Sequence, residues 1–177
     1  MALQQIAAAL RRVEAALQRR PEFGLHEDAP ATSRWEGGTR AVTRHANGFQ
    51  VATDMPTELG GRGEGVTPGW LFRAGLASCA TTSIVLGAAA RGVALRALEV
   101  RAASRSDARG LLAMCDADGQ PVYGGPSDVQ LQVRIAADAA SPEQLRTLVV
   151  ESLRCSPVPN ALQHATPLAL QIDIEAA

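Results

Sequence analysis

Between Gly69 and Ala90 the chain carries one charge, Arg73. Thr67 suits the cap ahead of a helix and Pro68 its first helical position, so the pair predicts a long helix that starts there. A helix apolar nearly all round has to be covered, and the rest of the chain must supply the cover. Ala74, Gly75, Ala77, Ser78 and Ala80 keep this helix slim and permit close helix contact, and Cys79 lies near its middle. The covering material is aliphatic, because hydrophobic residues make up 46% of the chain and aromatics only 3%. A length of 177 residues fits one domain, or one domain with an appended arm.

The flanking patterns divide into helices and strands. Ile6, Leu10, Val13 and Leu17 mark one face of a helix over 3–20, which Pro21 stops. Residues 1–31 read as a helical arm and connector, and 32–177 as the main domain. Asn47-Gly48 between Val42 and Phe49-Gln-Val51 predicts a hairpin, since both turn residues tolerate positive φ. Glu58 to Gly65 is a glycine-rich loop without the Lys-Ser/Thr of a phosphate cradle. Leu98, Val100 and Ala102 alternate with polar positions, as do Val129, Leu131, Val133 and Ile135, giving two half-buried strands. Residues 107–126 read as loop. Ser141-Pro-Glu-Gln144 is a capping box that opens a helix ending near Cys155. A short helix to about Ala165 and a last strand, from Leu168 to Ile174, complete an α+β order whose sheet covers the apolar helix.

Charge excludes several classes of function. The 17 basic and 18 acidic residues nearly balance, which argues against a nucleic-acid partner or an anionic membrane surface. Every basic residue is Arg, so Schiff-base and P-loop lysine chemistry are excluded. No stretch is expected to supply the roughly 20 apolar residues of a membrane span. The first residues lack the charged region of a signal peptide. Three scattered cysteines do not form a secreted disulfide framework. The expected compartment is the cytoplasm.

The cysteines are the candidates for chemistry. Cys79 has two readings, a small core hydrophobe or a nucleophile that needs a nearby cation. Cys155 lies where one helix ends and the next begins, which is both a plausible thiolate environment and a common turn position. Cys115, in a glycine-flanked loop, reads as incidental. The cysteines and His26, His45 and His164 lack the C-x-x-C or H-x-x-x-H spacing of metal ligands, and no G-x-S-x-G hydrolase elbow is present. No metal and no bound cofactor are expected.

Three segments carry a resemblance: Thr53-Asp-Met-Pro-Thr-Glu-Leu-Gly-Gly61, Thr67-Pro-Gly-Trp-Leu-Phe-Arg-Ala-Gly-Leu-Ala-Ser-Cys79 and Arg154-Cys-Ser-Pro-Val158. Together with Trp35-Glu-Gly37 they resemble the osmotically inducible protein C / organic hydroperoxide resistance (OsmC/Ohr) family over about residues 32–175. The resemblance implies an OsmC-like fold, with antiparallel sheets wrapped around long central apolar helices in an intertwined homodimer. It also implies a cysteine-based peroxidase acting on organic hydroperoxides. By position Cys79 matches the peroxidatic cysteine and Cys155 the resolving one. A Cys79 sulfenic acid would then condense to a Cys79–Cys155 disulfide, reduced by an external dithiol or lipoyl protein.

The family's thiolate-holding arginine matches Arg40 best, with Arg44 in reserve. The family glutamate that pins that arginine is replaced here by Gly69, with Glu58 and Glu64 as stand-ins. Two other readings of the same fold stay open: a non-catalytic dimer that binds a small apolar ligand, and a redox-responsive protein without turnover.

Overall fold

The computed structural model describes residues 3–175. Helix α2, Pro68–Ala90, is the 23-residue axis of the molecule. Thr67 caps it as its residue type foretold, the Oγ1 accepting from the Trp70 N–H at 3.2 Å. By length and apolarity α2 is long enough to cross a membrane, contrary to the expectation that no segment is. In this fold it is a core helix: β4 (Leu95–Arg105), α4 (Pro142–Arg154), α5 (Pro157–Gln163) and the N-terminal α1 (Leu3–Arg19) all pack on it. Leu76, Ala80, Ile84, Ala88 and Ala89 form its buried side. The cover is not complete, for Gly75, Ser78, Thr82 and Leu86, at helical spacing, face outward.

Strands β4 and β5 (Ser127–Ala137) pair antiparallel, with Leu98 opposite Ile135, Val100 opposite Val133 and Ala102 opposite Leu131. The polar pairs Glu99–Arg134 and Arg101–Gln132 alternate with them, which is the two-residue period seen in the sequence. The loop between these strands contains a single short helix, α3, Ala108–Leu111. Both halves of the capping box at α4 form: Ser141 Oγ accepts from the Gln144 N–H at 3.2 Å, and Gln144 Oε1 accepts from the Ser141 N–H at 2.7 Å.

A second, three-stranded antiparallel sheet has the order β1 (Thr32–Trp35), β2 (Ala41–Arg44), β3 (Gln50–Thr53). The expected hairpin joins β2 to β3. Of the Asn47-Gly48 pair only Gly48 takes a positive φ, of 90°, and the His45 N–H bonds to the Phe49 carbonyl at 2.9 Å. That is a longer loop than a two-residue turn. This meander makes few contacts with the helices. Its chain leads back to them through the Asp54 N–H, which bonds to the Val66 carbonyl at 3.1 Å.

The expected last strand does not form. From Ala165 onward the described residues belong to no helix or strand, and Leu168 is 95% and Ile174 89% exposed. A strand exists only as a paired element, and here this alternation has no partner strand.

Candidate functional site

The geometry around Cys79 is set by the junction of α4 and α5. Cys155 is the C-cap of α4, with φ −101° and ψ 3°. Ser156 is the extended residue ahead of α5, and Pro157 occupies the first turn. The junction is clamped by Asn160, whose Nδ2 donates to the Arg154 carbonyl at 2.8 Å and to the Ser156 carbonyl at 2.9 Å. These constraints turn the Ser156 side chain inward, where it is 0% exposed, and leave Cys155 exposed.

A serine ahead of a helix ordinarily caps it. Ser156 makes no such side-chain bond. Its Oγ instead lies 3.2 Å from Cys79 Sγ. The Val158 N–H donates to the same sulfur at 3.5 Å. The fold therefore brings Ser156 and Val158 to Cys79, while Cys155, one residue away along the chain, faces outward. Cys115 is exposed in the loop where residue 115 bridges to Pro121.

An apolar cavity of about 590 Å³ lies on the same side of α2. Phe72 and Leu76, two turns and one turn before Cys79, line it along with Tyr123, Leu153, Pro159 and Leu162.

Arg40 lies on the three-stranded meander, in another setting. Its Nε is 3.4 Å from Glu36 Oε2, and Arg44 Nη2 is 3.5 Å from Glu36 Oε1. Both arginines thus share Glu36, and neither Glu58 nor Glu64 is their partner in these pairs. Glu58 accepts from Thr57 Oγ1 instead. Beside this cluster Asp54 is buried and accepts from Thr39 Oγ1 at 2.6 Å, the Arg62 N–H at 2.9 Å and the Met55 N–H at 2.9 Å. The Thr39 hydroxyl, followed by the Arg62 N–H, holds its carboxyl below the usual carboxylate range. Arg73, the lone charge of α2, donates to Ser104 Oγ on β4 at 3.3 Å. Among the described residues no group of three His, Cys, Asp or Glu gathers as a metal site.

Two residues escape the sequence reading. Ser156 is hidden because nothing in Cys155-Ser156-Pro157 says which of two neighbouring side chains turns inward. Glu36 had a visible signal, its position four residues before Arg40. The turn from β1 to β2 closes that pair, with the Glu36 N–H on the Arg40 carbonyl at 3.0 Å.

The class this architecture defines is an α+β protein with antiparallel sheets and a cysteine on a central apolar helix. The family model described as OsmC-like protein matches residues 61–171, and the chain belongs to that family. Among solved structures it is similar to an OsmC-like protein from Mycoplasma pneumoniae, at 18% identity over 79% of this chain and 90% of that one, with a TM-score of 0.65. An organic hydroperoxide resistance protein from Legionella pneumophila is 22% identical over 79% and 92% of the two chains, with a TM-score of 0.56. An OsmC-like protein of unknown function from Vibrio cholerae is 14% identical over 77% and 94%, at 0.60. No functionally curated protein matches the chain. At these identities the solved structures show the fold.

Proposed function

We propose that this chain reduces organic hydroperoxides to alcohols, with Cys79 as the reacting thiol. The observation that carries the reading is the convergence of the Ser156 hydroxyl and the Val158 N–H on the Cys79 sulfur, midway along a largely apolar helix. A core cysteine that only fills space has no use for both. The thiolate is the form of sulfur that attacks. The thiolate displaces an alkoxide from the hydroperoxide: the S–O bond forms, the O–O bond breaks and the alkoxide takes a proton. Sulfur becomes a sulfenic acid, oxidised by two electrons, and an external dithiol returns it to the thiol. The apolar cavity beside Phe72 and Leu76 suits an alkyl chain better than hydrogen peroxide.

The same reading makes the active form a homodimer. The outward face of α2 and the uncovered alternation from Leu168 to Ile174 are two apolar surfaces of one chain, and a second copy is their natural cover. Arg40 belongs to this reading as the thiolate-assisting cation, with Glu36 in the pinning role that Gly69 vacates.

The binding-only alternative draws on one observation, that within the described chain the hydrogen-bond partners of the Cys79 sulfur are Ser156 and Val158 and not an arginine. The deciding experiment is consumption of tert-butyl hydroperoxide with dithiothreitol as reductant. Cys79→Ser is expected to lower it by at least about 100-fold with an unchanged circular dichroism spectrum. Equal consumption by the variant sinks the reading.

A further inference from the structure

We propose that the oxidised Cys79 is reduced directly by an external dithiol, with Ser156 occupying the place of an internal partner thiol and Cys155 standing outside the cycle. This rests on the hydroperoxide reading above and specifies its second half.

The side chain that meets Cys79 is a hydroxyl, Ser156 Oγ at 3.2 Å, and a hydroxyl closes no disulfide. A disulfide needs Cα atoms roughly 4.4–6.8 Å apart and Cβ vectors that converge. Ser156 satisfies the direction, being fully buried against the sulfur, whereas Cys155 is exposed. Exchanging the two residues means rotating the α4–α5 junction. That junction is held by Asn160 Nδ2 on the carbonyls of Arg154 and Ser156, and by the Ser156 N–H on the Leu153 carbonyl at 3.2 Å. It would also withdraw a buried hydroxyl from its one side-chain partner and expose the helix start that Pro157 fixes. The arrangement keeps Ser156 in place through the cycle.

Ser156 is a positioning residue here, acting through Cys79. After attack on the peroxide, the sulfenic acid is met by the first thiol of the dithiol: an S–S bond forms, the S–O bond breaks, and the hydroxyl leaves as water with the thiol's proton. The second thiol of the same molecule then attacks its partner sulfur. Cys79 is released as a thiol, and the dithiol departs as an intramolecular disulfide, having lost the two electrons that the peroxide gained.

The test combines three proteins with peptide mass spectrometry. Wild-type protein treated with one equivalent of tert-butyl hydroperoxide and then 2-mercaptoethanol is expected to carry a mixed disulfide on the Cys79 peptide. Dithiothreitol-driven turnover by Cys155→Ser is expected to stay within about twofold of wild type. Ser156→Cys, which supplies a thiol where the hydroxyl stood, is expected to form an intramolecular disulfide to Cys79 after peroxide alone. A Cys79–Cys155 cross-link in the wild type overturns the proposal. So does a loss of turnover in Cys155→Ser, by about tenfold or more, when its first-turnover burst is intact. Failure of the underlying reading looks different: Cys79 of the wild type remains a free thiol after peroxide, and both ideas fall together.

Discussion

The region around α2 and the periphery made of the β1–β3 meander and the last ten described residues are built from similar residue types, yet they end in opposite states. Around α2 the apolar side chains close on one another: Leu76, Ala80, Ile84 and Ala88 of α2 and Leu148 of α4 are all buried. In the meander only Val42 is a fully buried hydrophobic, and Trp35 and Phe49 are exposed, as are Leu168 and Leu170 in the tail. The first region buries one side of α2 within the chain, leaves the face of Gly75, Ser78, Thr82 and Leu86 outward, and carries Cys79. The second carries Arg40, Arg44 and a strand-like alternation that lacks a strand to pair with. Cys79 and the Arg40–Arg44 pair thus lie in parts of the molecule with different packing, the one on a helix covered along one side and the other on a sheet with a thin core.

The largest effect expected on this contrast is loss of association. Deleting the chain from Thr166 onward removes Leu168, Leu170, Ile172 and Ile174, none of which contributes to the single-chain core. Light scattering is expected to show a dimer for the full chain and a monomer for the truncated one, with helix content kept. A truncated dimer would mean that the tail is not what joins the copies.

Next in size is a cut into the closed region. Ile84→Ala empties a fully buried site and is expected to cost about 2–5 kcal/mol in urea unfolding. Val42→Ala in the meander, a smaller change at a thinner core, is expected to cost clearly less. Equal costs would erase the distinction between the two regions. Gly87→Ala probes the closeness of the α2–α4 crossing. A β-carbon there overlaps Ser152 Oγ and comes within 3.2 Å of Leu148 Cδ1, so the expected loss is about 1–3 kcal/mol. If Gly87→Ala leaves the urea midpoint unchanged, the two helices are not in tight contact.

Much of the closed region was legible from residue order. Thr67-Pro68, the capping box at Ser141 and the alternation along β4 and β5 are local signals, and local hydrogen bonding or a two-residue period realises each of them. The alternation from Leu168 to Ile174 is the same kind of signal, but pairing is a property of two segments, and periodicity in one does not name the other. The family resemblance led to Cys79, while the inward turn of Ser156 depends on the cap dihedrals and the Asn160 clamp. Those arise from how α4 and α5 meet. The Arg40 and Arg44 partnership with Glu36 is likewise a product of the β1–β2 turn, which the spacing of Glu58 and Glu64 in the glycine-rich loop does not reveal.

The smallest effect concerns the joint between the two regions. Asp54 ties Thr39, ahead of β2, to the backbone at Met55 and Arg62 in the glycine-rich loop. Its folded-state carboxyl is held below the ordinary range, chiefly by the Thr39 hydroxyl, whereas in the unfolded chain it titrates normally. A depressed acid favours the folded joint at pH above its unfolded pKa. The contribution is lost as pH falls through the lower folded value, which places the change below about pH 4. Hydrogen-exchange protection at Met55 and Arg62, corrected for intrinsic rates, is therefore expected to fall with acid before that of α2. Asp54→Asn sets an amide N–H₂ against one of the same donors and abolishes the titration. Its joint is expected to be loosened already at neutral pH and to show no acid step. If variant and wild type lose protection together with α2, the joint is not a separate unit and the meander opens only when the whole fold does.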